Sequence, residues 1–75
     1  MQKAIDDVVT GEQVIHQGYL WEVKETVFES GYGGGARCVL YVEQVVRDGE
    51  QPLPDPYRYG MSIGKLSGMM VTVAG

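Results

Sequence analysis

Apolar and polar positions alternate along YLWEVKETVF, Tyr19 to Phe28: Tyr19, Trp21, Val23 and Val27 fall on one side, and Glu22, Lys24 and Thr26 on the other. A period of two marks a strand with one buried face. Upstream, Glu12 to His16 reads as a short strand that enters the long one through Gln17-Gly18. A two-residue loop with glycine second suits the primed turns that match the twist of paired strands. The run RCVLYVEQVVR, Arg37 to Arg47, is dense in β-branched and aromatic residues and predicts a third strand. Cys38, Leu40, Val42 and Val46 share one of its faces; Val39, Tyr41 and Val45 share the other. Both faces are apolar, so the strand is expected to be central, its second face covered by another part of the chain or by another molecule. A helix that aligns Cys38, Tyr41, Val42 and Val45 is the alternative reading of the same run.

Asp48-Gly49 supplies a second turn signal. The PLPDP segment, Pro52 to Pro56, reads as an exposed connection, because proline has no amide proton for a central ladder. Beyond it, Tyr57 to Ile63 and Met69 to Val73 predict two more short strands, with GKLSG, Gly64 to Gly68, as the turn between them. The expected fold is all-β: a small antiparallel five-stranded meander or barrel, since parallel pairing needs crossovers of about a dozen residues or more. Residues 1–10 form an N-terminal arm in which KAIDDVV can make a short helical turn, add a strand or stay loose; residues 11–75 form a single small β domain. From Gly11 to Val73, the order of a glycine-led strand, a tight turn, a long strand carrying Trp21 and three further short strands resembles the Src-homology-type small barrels. The resemblance implies an architecture and assigns no site.

Composition narrows the functions. A chain of 75 residues, 44% hydrophobic and 21% charged, has the balance of one globular domain near the lower size limit for a self-sufficient core, so association with a second copy is an open expectation. Ten acidic against six basic residues give a net charge of −4, and no basic stripe is present. Nucleic-acid binding is therefore disfavoured, because Lys and Arg neutralisation of phosphates supplies most of that affinity. The single Cys38 excludes an internal disulfide and points to a reducing compartment. The start MQKAIDDVVT lacks the apolar core of a signal peptide, and no apolar run is long enough for a spanning helix. A cytosolic protein with no membrane partner is the expectation.

Candidate chemistry is sparse. GYGGGA, Gly31 to Ala36, formally fits the dinucleotide pattern G-x-G-x-x-G/A, with Asp55 downstream, but the residues after Ala36 predict a strand where that pattern needs the start of a helix. A weaker possibility is that free amides of this hairpin tip, Gly33 and Gly34, with Arg37 and a stacking Tyr32, hold an anionic or nucleotide-like ligand. The competing reading is a hairpin tip whose glycines permit positive φ. GMSIGKLS, Gly60 to Ser67, falls short of a phosphate-binding loop, with three residues between its glycines instead of four and leucine after Lys65. His16 is the single histidine, so no usual zinc set assembles within one chain, and neither metal nor cofactor is implied. Cys38 sits on the presumed core face without a partnered base, and Glu22 and Glu43 can approach across strands as solvated pairs, so an enzyme is not expected.

What remains is a surface that binds something. Val39, Tyr41 and Val45 on the second apolar face, with Tyr57 and Tyr59 beside the proline segment, are the candidate protein interface, since tyrosine offers large contact area at low entropic cost. The sharpest expectation is a small non-catalytic protein-binding module, such as an anti-CRISPR-like inhibitor of a host defence complex carried by a phage or mobile element, acting by steric blockade or acidic mimicry. The alternatives are a small-ligand or nucleotide binder using the glycine-rich hairpin, and a small-barrel RNA-binding regulator.

Overall fold

The computed structural model of the chain describes residues 1–30 and 35–74. Strands β1 (Gln2–Ala4), β2 (Gln13–His16), β3 (Tyr19–Glu29), β4 (Arg37–Gln44), β5 (Met61–Leu66) and β6 (Met70–Ala74) form one antiparallel sheet, with a single 3₁₀ turn at Ile5–Asp7. The hydrogen-bonded order is β1-β6-β2-β3-β4-β5. Thus β2 to β5 run as the expected meander, while β6 returns to the other side of β2 and β1 adds outside it. The strand beyond the expected five comes from the arm: β1 sets Lys3 opposite Val71, and the 3₁₀ turn then drops Ile5 into the core.

The connection from β5 to β6 fixes the shape of the sheet. These strands lie four places apart in the sheet order yet are joined by Ser67 to Met69 alone. At roughly 4.8 Å per strand, a flat sheet would hold them about 19 Å apart, whereas four Cα steps span at most about 14 Å. The sheet therefore curls. Inside the curl lie Ile5, Val8, Val14, Trp21, Val23, Cys38, Leu40, Val42, Ile63, Val71 and Val73, all buried. Trp21 is covered because its Nε1 donates to the carbonyl of His16 at 3.0 Å, so the indole enters the core with its polar atom satisfied. The turn before it is the primed one, with Gln17 at φ 53° and Gly18 at φ 83°.

The alternation of β3 does not persist along its length. A bulge at Lys24 interrupts the pairing with β4, so that Val23 faces Val42 but Thr26 faces Leu40 and Val27 faces Val39. Opposed residues point to the same side of a sheet, so the extra residue moves Val27 from the face of Trp21 to the outer face. The pattern that placed Val27 with Trp21 is corrected by this one residue.

Three boundaries also move. β4 ends at Gln44, not Arg47: the chain turns there, with Glu50 N–H donating to Arg47 O and the Arg47 guanidinium donating to Gly18 O at 2.7 Å, and Val46 lies in solvent contact outside the strand. Tyr57 to Gly60 form turns, because Tyr57 and Gly60 spend their amide protons on Pro54 O and Pro56 O. Gly64 to Leu66, expected in a turn, continue β5 opposite Val39, Cys38 and Arg37, and the turn shrinks to Ser67-Gly68.

That turn is clamped to the arm. The Asp6 carboxylate accepts from the Ser67 hydroxyl and, at 2.7 Å, from the Gly68 amide, while Ile5 N–H donates to Met69 O at 2.8 Å. The Ser67 bond, followed by the Gly68 amide, holds Asp6 below the ordinary carboxylate range. Glu12 is lowered chiefly by the Lys3 ammonium and Glu50 by the Arg47 guanidinium. A carboxylate whose folded pKa is depressed contributes stability that is complete above its unfolded value and is lost as pH falls through the folded one. Thermal melts from about pH 7 to about pH 2.5 should show stability declining below about pH 4. Asp6→Asn should melt lower than the parent at neutral pH, with the gap closing as acid protonates Asp6. A constant gap across the range would remove Asp6 from the account.

Two glycines give a paired test of packing. A Cβ on Gly60 would lie 2.9 Å from the backbone oxygen of Pro56, whereas one on Gly64 would meet the far end of the Arg37 guanidinium at 2.7 Å, which can swing away. Gly60→Ala should cost about 1–3 kcal/mol, and Gly64→Ala should stay within about 0.5 kcal/mol, both read from urea denaturation midpoints.

Candidate functional site

The register assigns every strand residue to one of two faces. On β4 the inward positions Cys38, Leu40, Val42 and Gln44 are buried, and the outward positions Arg37, Val39, Tyr41 and Glu43 are open or half-buried. The neighbouring strands extend the outward face: Val27 and Gly64 flank Val39, Glu25 and Ser62 flank Tyr41, and Glu22 opposes Glu43. The expectation that both faces of β4 are covered is therefore corrected for the lone chain. Inward is core, while outward Tyr41 is 47% exposed. The curl explains this, since a sheet wrapped around its own core turns its convex side to solvent.

The outward face combines an apolar strip with carboxylates. Val27, Val39 and Tyr41 form the strip on adjacent strands. Beside it the bulged Lys24 donates to Glu22 at 2.9 Å and reaches Glu43 at 4.0 Å, and the Glu22 hydrogen bond, then its charge, raises the lysine pKa. Glu22 and Glu43 are thus brought together, as the strand pairing allowed, with a cation between them in solvent. Such exposed pairs contribute little to stability, because solvent screens them. They define charge at the surface more than they hold the fold.

The other candidate residues scatter. Val45 lies half-buried just past β4, its amide donating to Leu20 O at 2.9 Å. Tyr57 and Tyr59 are 58% and 54% exposed in the turns before β5, and the Arg58 guanidinium lies 5.0 Å from the Tyr59 ring centre. This segment is tied to the end of β4, where the Gln44 side-chain Oε1 accepts from Leu53 N–H at 2.8 Å and the Gln44 backbone N–H donates to Arg58 O at 2.9 Å. Val39 and Tyr41 share a surface; the register does not place Tyr57 and Tyr59 on it. Of the proposed anion site, Tyr32, Gly33 and Gly34 lie outside the described residues. Arg37 is described: it is exposed opposite Glu29 and Leu66, with its guanidinium over Gly64.

Sequence reasoning missed Val27 as a surface residue. The signal was present, because strict alternation would have put Glu25 on the side of Trp21 and Val23, and a charge at an apolar phase marks a bulge. Cys38 is fully buried, its thiol directed to Ile5 O at 3.6 Å and its pKa pushed up by burial and then by Asp6, the opposite of an activated nucleophile. Among the described residues no cluster of three metal-ligating side chains occurs, and no helix is long and apolar enough to cross a membrane. No protein-family model, curated protein or solved structure matches the chain.

Proposed function

We propose that the chain is a non-catalytic protein-binding module that docks through the outward face of β3, β4 and β5. One observation carries the reading: half-buried Val39 and exposed Tyr41 stand on the solvent side of an interior strand, next to half-buried Val27. Solvent-facing positions of a sheet usually alternate to polar residues, and an exposed tyrosine is among the residues enriched at interface centres.

Glu22, Glu25 and Glu43 border this strip and suit a partner whose contact surface is basic. Opposite charge at a rim steers encounter and register more than it adds affinity. Binding of this kind acts by occupying a surface, which accounts for a steric inhibitor such as one directed at a host defence complex. The partner is a protein, and a second copy of the chain is a competing occupant that the net charge of −4 disfavours.

Tyr41→Glu tests the surface. Tyr41 is half-exposed, so the variant should keep the circular dichroism spectrum and melting temperature of the parent within a few degrees while losing partner capture from lysate of the native host. A photo-crosslinking residue at position 41 should give a covalent adduct that the same residue at position 57 does not. Equal capture by the folded Tyr41→Glu protein, or equal adducts from both positions, would reject this face.

A further inference from the structure

A second feature lies on the opposite, concave side. The curl that carries the chain from β5 to β6 leaves a recess of about 110 Å³ between β5 and the β2–β6 pair, with Val14, Ile63, Val71, His16 and Lys65 among its lining residues. One water needs roughly 10–15 Å³ of such space, so the cavity can take several waters or one small polyatomic guest. Its contents are decided by its charges.

The register sends Lys65 inward. It opposes the buried Cys38 on β4 and lies two residues from the buried Ile63, on the same side of β5. His16 lies two residues from the buried Val14, on the same side of β2, and its carbonyl is already engaged by Trp21, which fixes the strand end that carries the ring. No carboxylate lines the cavity. Lys65 makes no ion pair among the described residues, unlike Lys3, Lys24 and Arg47. Asp6, the carboxylate tied to the end of β5, spends its oxygens on Ser67 and Gly68. Lys65 is half-buried as a residue and its ammonium has no carboxylate partner among the described residues, so an anionic guest would supply a charge-assisted bond that the chain does not. On this acidic chain, the recess brings a cationic residue and an imidazole residue together among lining residues that include no carboxylate.

We propose that this cavity is a binding site for a small tetrahedral oxyanion, a phosphate or the phosphoryl head of a larger molecule, held by Lys65 with His16 as second donor. It does not rest on the outward docking face. Lys65 therefore binds as a strand residue opposite β2 and β6, not through the loop pattern in which the sequence displays it.

His16 is the single histidine, so its ring Cε1–H resonance reports the site without assignment ambiguity. The full chain should be titrated with inorganic phosphate, and separately with adenosine monophosphate, against sodium chloride at matched ionic strength. Saturable displacement of the His16 resonance by phosphate, absent with chloride, is expected. Lys65→Met should weaken it by about tenfold or more, Lys65→Arg should retain it, and Lys24→Met, which changes only the outward face, should leave it unaltered. Equal response to both phosphate compounds identifies the free ion as sufficient, and tighter binding of the monophosphate identifies a larger ligand with the same head group. If Lys65→Met does not fold, Lys65→Gln takes its place, and both failing leaves the wild-type contrast between phosphate and chloride to decide. No saturable shift at matched ionic strength, or unchanged titration in a folded Lys65 variant, overturns the proposal.

Discussion

The three residues that join β5 to β6 constrain everything else in this molecule. A link that short between strands four places apart cannot exist on a flat sheet, so the curl follows from chain geometry before any side chain is considered. Hydrophobic burial then fills the curl: a chain of this size has material for one small core, and Trp21, Leu40 and the valines of four strands supply it. The arm completes the closure. Ile5 plugs the interior and Asp6 fastens the turn that makes the link possible, so the first ten residues stabilise the very connection that shapes the sheet.

Curling also divides the surface into two unlike environments. On the convex side, strand positions that alternate with the core are pushed outward, and the Lys24 bulge adds Val27 to Val39 and Tyr41 by shifting the phase of β3 partway along. Without that extra residue Val27 would point inward, and the apolar strip would be narrower by one strand. The bulge also accounts for the lysine itself. An inserted residue is free to reach sideways, and Lys24 does so by bridging Glu22 and Glu43, which would otherwise repel across the β3–β4 pair.

Much of the architecture was legible because strand formation is written in local pattern. The Gln17-Gly18 turn, the alternation of Tyr19, Trp21 and Val23, and the inward set Cys38, Leu40 and Val42 needed only residue chemistry and a period of two. What was not legible depends on partners distant in sequence. Gly64, Lys65 and Leu66 look like a turn by composition, and become strand because β4 offers them a ladder. Tyr57 and Tyr59 look like strand by composition, and become turn because the prolines upstream present carbonyls at the right spacing to capture their amides. Val27 was misassigned for a subtler reason, since a bulge changes every phase after it while leaving the residues themselves unremarkable. The candidate interface was accordingly half legible: Val39 and Tyr41 follow from the β4 pattern, whereas their neighbour across the strand does not.

The concave cavity could not have been read from the sequence at all. His16 and Lys65 belong to strands that are not neighbours in the sheet, and only the curl sets them across one volume. Read locally, His16 is a strand-end residue beside a turn and Lys65 a solvated lysine in a glycine-rich segment. Their juxtaposition matters because of what surrounds it: ten carboxyl side chains give the chain a negative field that repels anions in general, while the residues that line this recess include a lysine and no carboxylate. Under the two proposals, a basic protein surface would meet the acidic convex face, and an oxyanion would have to find the one recess argued for it against the field of the rest of the chain. The two surfaces are separated by the thickness of the sheet, so each can be altered without the other.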